Sequence, residues 1–129
     1  MVTDNNTLMK DITTDKIIQQ NLQSMEKYAE CEYEGINRHP KYPSVKLFIR
    51  CMNELFDYLL SNANLYGLNT HRIDDLIRVD NRTFELDILG KETEAMKHIN
   101  NDLRFQSFQE ISEDMYRKIE SIKSEFLNN

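Results

Sequence analysis

Five stretches of this 129-residue chain carry apolar residues at steps of three and four, and only three Gly and two Pro interrupt them. That spacing puts each apolar set on one face of an α-helix, and a chain with several such faces must bury them against one another. The expectation is an all-α, single-domain up-and-down bundle of four to five helices. Residues 1–12 read as a flexible polar lead-in, and 13–129 as the bundle domain. At this length a core forms without disulfide or metal support.

Thr13 or Thr14 is placed to cap a first helix carrying Ile18, Leu22, Met25 and Ala29, and Gly35 to end it. Pro40 and Pro43 mark a loop. Ser44 then reads as the cap of the central helix, whose stripe is Val45, Phe48, Ile49, Met52, Leu55, Phe56 and Leu59. After Gly67, Asn69 or Thr70 opens a short third helix with Ile73, Leu76 and Ile77 inward. Residues 79–86 read as irregular or as a helix start, because one alternating run has no partner strand. Ile88, Leu89, Met96, Ile99 and Leu103 suggest a fourth helix. Phe105 and Phe108 are expected in a connection that plugs the bundle's end. Ser112 reads as the cap of a fifth helix bearing Met115, Ile119, Ile122 and Phe126.

The formal net charge of −6 disfavours a general polyanion-binding role. Cys31 and Cys51 lie in helical segments and read as reduced thiols. No secretory leader is apparent at the N-terminus, and no run approaches the ~20 apolar residues of a membrane span. The expected location is cytoplasmic, away from any membrane.

Chemistry-bearing patterns are few. His39, His71 and His98 lie far apart, and no Cys or His pair has zinc-site spacing. There is no Gly-rich phosphate loop and no activated nucleophile, so neither a metal nor a cofactor is expected and no catalytic residue is assigned. Glu94, His98 and Asp102 step by four on the expected fourth helix, which would set an imidazole between two carboxylates. Charges at that spacing more often support a solvated face. Glu26, Glu30 and Glu34 form an acidic stripe on the first helix, and the acid-free run Arg38, Lys41, Lys46 and Arg50 is its natural complement. The same run, with His39 and Tyr42 interleaved and His71 and Arg72 near the third helix, forms a candidate phosphate- or base-binding set.

The element order resembles the HEPN domains, a family of small helical bundles. The resemblance rests on the long amphipathic stretch Val45 to Leu60, on Gly67-Leu68-Asn69-Thr70-His71-Arg72-Ile73-Asp74-Asp75-Leu76, and on Ile99 to Phe105 ahead of a last amphipathic helix. It implies a homodimer, and a partner such as a minimal nucleotidyltransferase, or a nucleotide or RNA ligand. Ribonucleases of that family carry an Arg and, after four to six intervening residues, a His. None of the three histidines here has an Arg at that distance, although Lys91 lies seven residues before His98. The resemblance therefore implies a non-catalytic binding module. The other reading is a helical interaction adaptor or inhibitor of a mobile element.

Overall fold

The computed structural model describes residues 10–35 and 43–127. Among these residues five α-helices form: α1 Lys16–Tyr33, α2 Ser44–Ser61, α3 Thr70–Asp75, α4 Asn81–Lys97 and α5 Asn101–Phe126. A 3-10 turn, Ile12–Thr14, precedes α1. A π-helical turn, Leu76–Asp80, joins α3 to α4. Helical dihedrals at Leu76 and Asn81 make α3, the π turn and α4 one continuous rod. No strand occurs among the described residues.

Each rod packs beside its neighbour in sequence: α1 on α2, α2 on α3 and α4, α4 on α5. The ring closes where α5 returns to α1. This is an up-and-down bundle, the arrangement that short connections favour. Its core is built by the expected stripes. Every member of the α2 set is buried, as are Leu22, Met25, Ile73, Ile88, Met115 and Ile119. Phe56 meets Phe126 edge-on with centroids 5.8 Å apart, so α2 and the C-terminal turns of α5 share one layer.

Where the structure departs from the sequence expectations, the reason is a side chain with a better use. Asp15, rather than Thr13 or Thr14, caps α1: its Oδ1 accepts from the Ile17 and Ile18 amides at 2.8 and 3.2 Å. Ser44 does not cap α2, because its hydroxyl donates to the buried Glu32 Oε1 at 2.6 Å. Ser112 is not a cap either. It lies in the middle of α5, fully buried, donating to the Ala29 carbonyl at 2.6 Å. The cap of that last helix is Asn100, whose Oδ1 accepts from Asp102 and Leu103.

Of the two readings of residues 79–86, irregular or a helix start, the second holds, because the π turn runs into α4 there. Phe105 and Phe108 ride on α5 rather than in a connection. The fourth helix stops at Lys97, so Ile99 sits in the break and Leu103 on the following helix, both exposed. Gly35 ends the first helix as expected, with φ +68°. Of the lead-in, residues 1–9 lie outside the described residues, while Ile12 is buried in the core.

The rods do not end level with one another. Ser112 touches Ala29, and the Phe105 and Phe108 rings pack near the Gly35 Cα. The α4–α5 hairpin therefore projects past the C-terminus of α1.

Candidate functional site

Polar residues that interrupt an apolar stripe are the ones whose burial must be explained. Glu32 continues the Leu22, Met25, Ala29 series by one more step of three and is only 2% exposed. Its Oε1 takes the Ser44 hydroxyl, and its carboxyl is hydrogen-bonded to that of Glu92. Glu92 comes from α4 and is half-buried, with its Oε2 out of contact with solvent. Burial, followed by the neighbouring Glu32 carboxyl, pushes the Glu92 carboxyl up to about 9. At neutral pH it is therefore protonated, and the pair shares a proton instead of carrying two charges.

Arg104 of α5 lies beside them but does not neutralise them. Its terminal nitrogen donates to the His98 and Met96 carbonyls at 3.0 and 3.4 Å, which ties down the C-terminus of α4. Its Nε is buried without an acceptor. Glu32, Glu92 and Arg104, with Gly35, Met96 and Phe108, line a cavity of about 140 Å³. A buried carboxyl pair that shares one proton, beside an Arg104 Nε without an acceptor, makes this the candidate site.

A larger groove of about 550 Å³ runs between α4 and α5, lined in part by Gly90, Lys91, Glu94, His98 and Glu110. Its charges are mostly matched. Lys91 bridges Asp114 at 2.7 Å and Asp87 at 3.4 Å, and Glu94 pairs with Lys97 at 3.1 Å. Asp114 is raised by burial, but Lys91 and Arg117 outweigh this and hold it below the usual carboxylate range. The helix break leaves His98 in the linker and Asp102 on α5, so the Glu94, His98, Asp102 series does not share one helix face.

The phosphate- or base-binding set divides between the two ends. Arg38, His39 and Lys41 lie outside the described residues. Lys46 and Arg50 are exposed on the first half of α2, near the end where Ser44 meets Glu32, and Arg50 pairs with Glu54 at 3.5 Å. His71 and Arg72 are exposed near the opposite end, where Arg72 pairs with Glu125 at 2.8 Å. The structure thus does not bring Lys46 and Arg50 together with His71 and Arg72. The acidic stripe on α1 finds its described complement elsewhere too: Glu26 pairs with Lys123 of α5 at 2.9 Å.

Cys31 is buried and Cys51 half-buried, both outside any disulfide. Burial, then Glu54, pushes the Cys51 thiol up despite Arg50, which opposes activation as a nucleophile. Among the described residues no His, Cys, Asp and Glu group is arranged to hold a metal. None of their helices is long and apolar enough to cross a membrane.

No family model matches the chain, and comparisons with curated proteins and with solved structures find no match.

The sequence reading missed Glu32, Glu92 and Arg104. Two of them carried a signal. Glu32 falls on the α1 stripe, and Glu92 falls between Ile88 and Ala95 at steps of four and three. A carboxylate on an apolar stripe is a polar group committed to burial.

Proposed function

We propose that this chain is a non-catalytic helical binding module, HEPN-like in its order of elements, whose ligand is a partner protein. One observation carries the reading: the projecting tip of the α4–α5 hairpin is apolar. Ile99 is 96% exposed, Leu103 51%, Met96 50% and Phe105 43%, four large apolar residues within ten positions. Scattered exposed apolar residues are ordinary, but a cluster at a projecting tip, rimmed by charge, is the pattern of a contact surface. The proton-sharing carboxyl pair beneath this tip favours a partner with basic residues at its contact. A second copy of this chain, at net charge −6, complements them poorly.

A nucleotide or RNA ligand draws less support from the described basic residues, which stand at opposite ends of the bundle. A nucleotidyltransferase partner follows from the family resemblance, a cytoplasmic setting from the reading of Cys31 and Cys51 as reduced thiols, and both belong to this proposal.

Photo-crosslinking tests it. The substitution Ile99→p-benzoylphenylalanine, in cells making the full chain, is expected to give one discrete adduct with a different protein. The same probe at Val79, exposed on the π turn, is expected to give none. Adducts from both positions alike, or from neither, overturn the reading. An adduct of twice the chain's mass replaces the partner protein with a homodimer. Loss of RNA or nucleotide binding in Arg50→Glu at low salt, with no adduct at Ile99, favours the nucleic-acid alternative instead.

A further inference from the structure

We infer that the groove of about 330 Å³ between α2 and the start of α4 binds an uncharged planar ring whose edge sets a hydrogen-bond donor beside an acceptor, as a ring carboxamide or a lactam does. This groove lies at the far end of α4 from the hairpin tip, and its ligand is independent of any partner docked there.

Asn81, the first residue of α4, is 2% exposed, and neither its side-chain nitrogen nor its side-chain oxygen has a hydrogen-bond partner among the described residues. Burying an amide unmatched costs stability. The backbone conformation is what buries it. Along the rod the buried line runs Ile73, Leu76, Asn81, Ile88 and Ala95. A regular helix would follow Leu76 three positions later with Val79, an apolar residue suited to the core. The π turn, in which the Asn81 backbone N–H donates to the Leu76 carbonyl, lengthens that step to five. Val79 is left 60% exposed and Asn81 turns inward. A rod that exposes a valine and buries an unmatched asparagine is less stable than its sequence allows, and π turns within helices occur frequently at functional sites.

Asn81 lines the groove beside Asp57 of α2, Ile77 of the π turn, and Arg82 and Glu85 of α4. The amide dictates the ligand's chemistry. Its NH2 needs an acceptor and its carbonyl needs a donor, on neighbouring atoms. An anion offers only acceptors and an ammonium only donors, so each leaves half of the amide unmet. A carboxamide or lactam edge meets both halves. Asp57 and Glu85, set against Arg82, also weigh against a phosphate on the ligand. The volume is that of about ten waters, which suits one ring with its substituent. Half-buried Ile77 gives the ring's face an apolar neighbour. Because the amide lies behind the groove's surface, the ring enters by moving a wall side chain. Arg82, exposed and held to Glu85 at 3.8 Å, is loose enough to give way.

Titrating the full chain at pH 7 with nicotinamide, uracil, nicotinate and uridine 5′-monophosphate, followed by backbone-amide NMR, tests this. Nicotinamide and uracil are expected to give saturable shifts at Ile77, Asn81, Arg82 and Glu85, at the roughly millimolar affinity ordinary for so few atoms. Nicotinate, with the same ring but no donor on its edge, is expected to bind at least tenfold more weakly, as is the nucleotide relative to uracil. Asn81→Leu replaces the amide with an apolar group of similar size, so it should melt at or above the wild-type temperature and lose the uracil shifts. Glu94→Gln, in the groove between α4 and α5, should keep them. If Asn81→Leu does not fold, the ratio of nicotinamide to nicotinate affinity in the wild type decides. No shift with nicotinamide or uracil, equal binding of nicotinamide and nicotinate, or undiminished shifts in folded Asn81→Leu overturns the inference and leaves the amide to water alone. Nucleotide bound more tightly than uracil overturns the uncharged ring.

Discussion

The two ends of α1 each hold a carboxyl group withdrawn from solvent, Asp15 in part and Glu32 fully, and the bundle treats them in opposite ways. At the N-terminal end, Asp15 has both oxygens occupied: Oδ1 takes two helix amides, and Oδ2 takes the Tyr58 hydroxyl at 2.7 Å and the Tyr66 hydroxyl. Burial raises its pKa, but the Tyr66, Tyr58, Ile18 and Ile17 donors outweigh that and hold it below the usual range. At the other end, roughly 25 Å along the helix axis, the Glu32 and Glu92 carboxyls meet each other, with the Ser44 hydroxyl as the one outside donor. There burial wins, and Glu92 is pushed up. Donor supply decides the outcome: a carboxylate given four donors stays ionised, and a carboxyl pair given one hydroxyl keeps a proton. The first end is held by donors from other elements, and the second by a proton that the pair keeps.

Removing the saturated carboxylate gives the largest expected effect. Asp15→Ala deletes the α1 cap and removes the acceptor of two tyrosine hydroxyls that also bond each other, which should lower unfolding free energy by about 1–2 kcal/mol. Urea unfolding at pH 7 reads this directly. The α1–α2 connection at the other end should be unaffected, so hydrogen exchange should rise around Ile17 and Ile18 before it rises around Glu32. A loss below about 0.5 kcal/mol would show that the tyrosines do not depend on Asp15.

The opposite sign is expected at the open end. In the folded chain Glu92 keeps its proton up to about pH 9, against an ordinary value of 4.5. Between those values the folded state holds more protons than the unfolded one, so stability falls as pH rises. Asp15 works the other way, and its contribution is lost only as pH drops below its ordinary value of 3.8. Glu92→Gln retains a donor toward Glu32 at every pH. It should flatten the decline above pH 5 and stabilise the chain at pH 8.5 by about 1–2 kcal/mol, a gain kept small by water reaching half-buried Glu92. Thermal melts at pH 5, 7 and 8.5 check it. An unchanged slope in the variant would assign the pH dependence to other groups.

Much of the saturated architecture could be read from the sequence, and little of the open end could. The α2 stripe, the Gly35 stop and the Asn69 cap follow from periodicity and local chain chemistry, so they survive translation into three dimensions. Ser44 and Ser112 mislead because a Ser ahead of a helical stripe has the composition of a cap in either role. Position separates the two: Ser112 lies at steps of three and four with Met115, Ile119, Ile122 and Phe126, which commits it to the core. Asn100, followed two residues later by Asp102, was the better cap signal for α5. The Glu32–Glu92 juxtaposition spans sixty positions and depends on how α1 and α4 pair, which no local pattern specifies. The exposed tip was hidden for a related reason. Met96, Ile99 and Leu103 look like a core stripe until the chain is seen to break at His98.

Two glycines sharpen the contrast on the smallest scale. Gly35 sits at the open end with φ +68°, and an added Cβ would meet Phe108 at 3.5 Å and Phe105 at 3.8 Å, ordinary contact distances. Space therefore does not forbid a side chain there; the backbone conformation does. Gly35→Ala should cost about 1–2 kcal/mol through the left-handed conformation alone. Gly90 lies within α4, where an added Cβ would meet nothing within 4 Å. Gly90→Ala should instead add about 0.5–1 kcal/mol by restricting the unfolded chain and improving helix propensity. Gly35→Asn, which tolerates the left-handed region better than Ala, should recover part of the loss if conformation is its cause. Recovery absent in Asn but present in a variant that trims the Phe108 ring would move the cause from the backbone to packing against the hairpin.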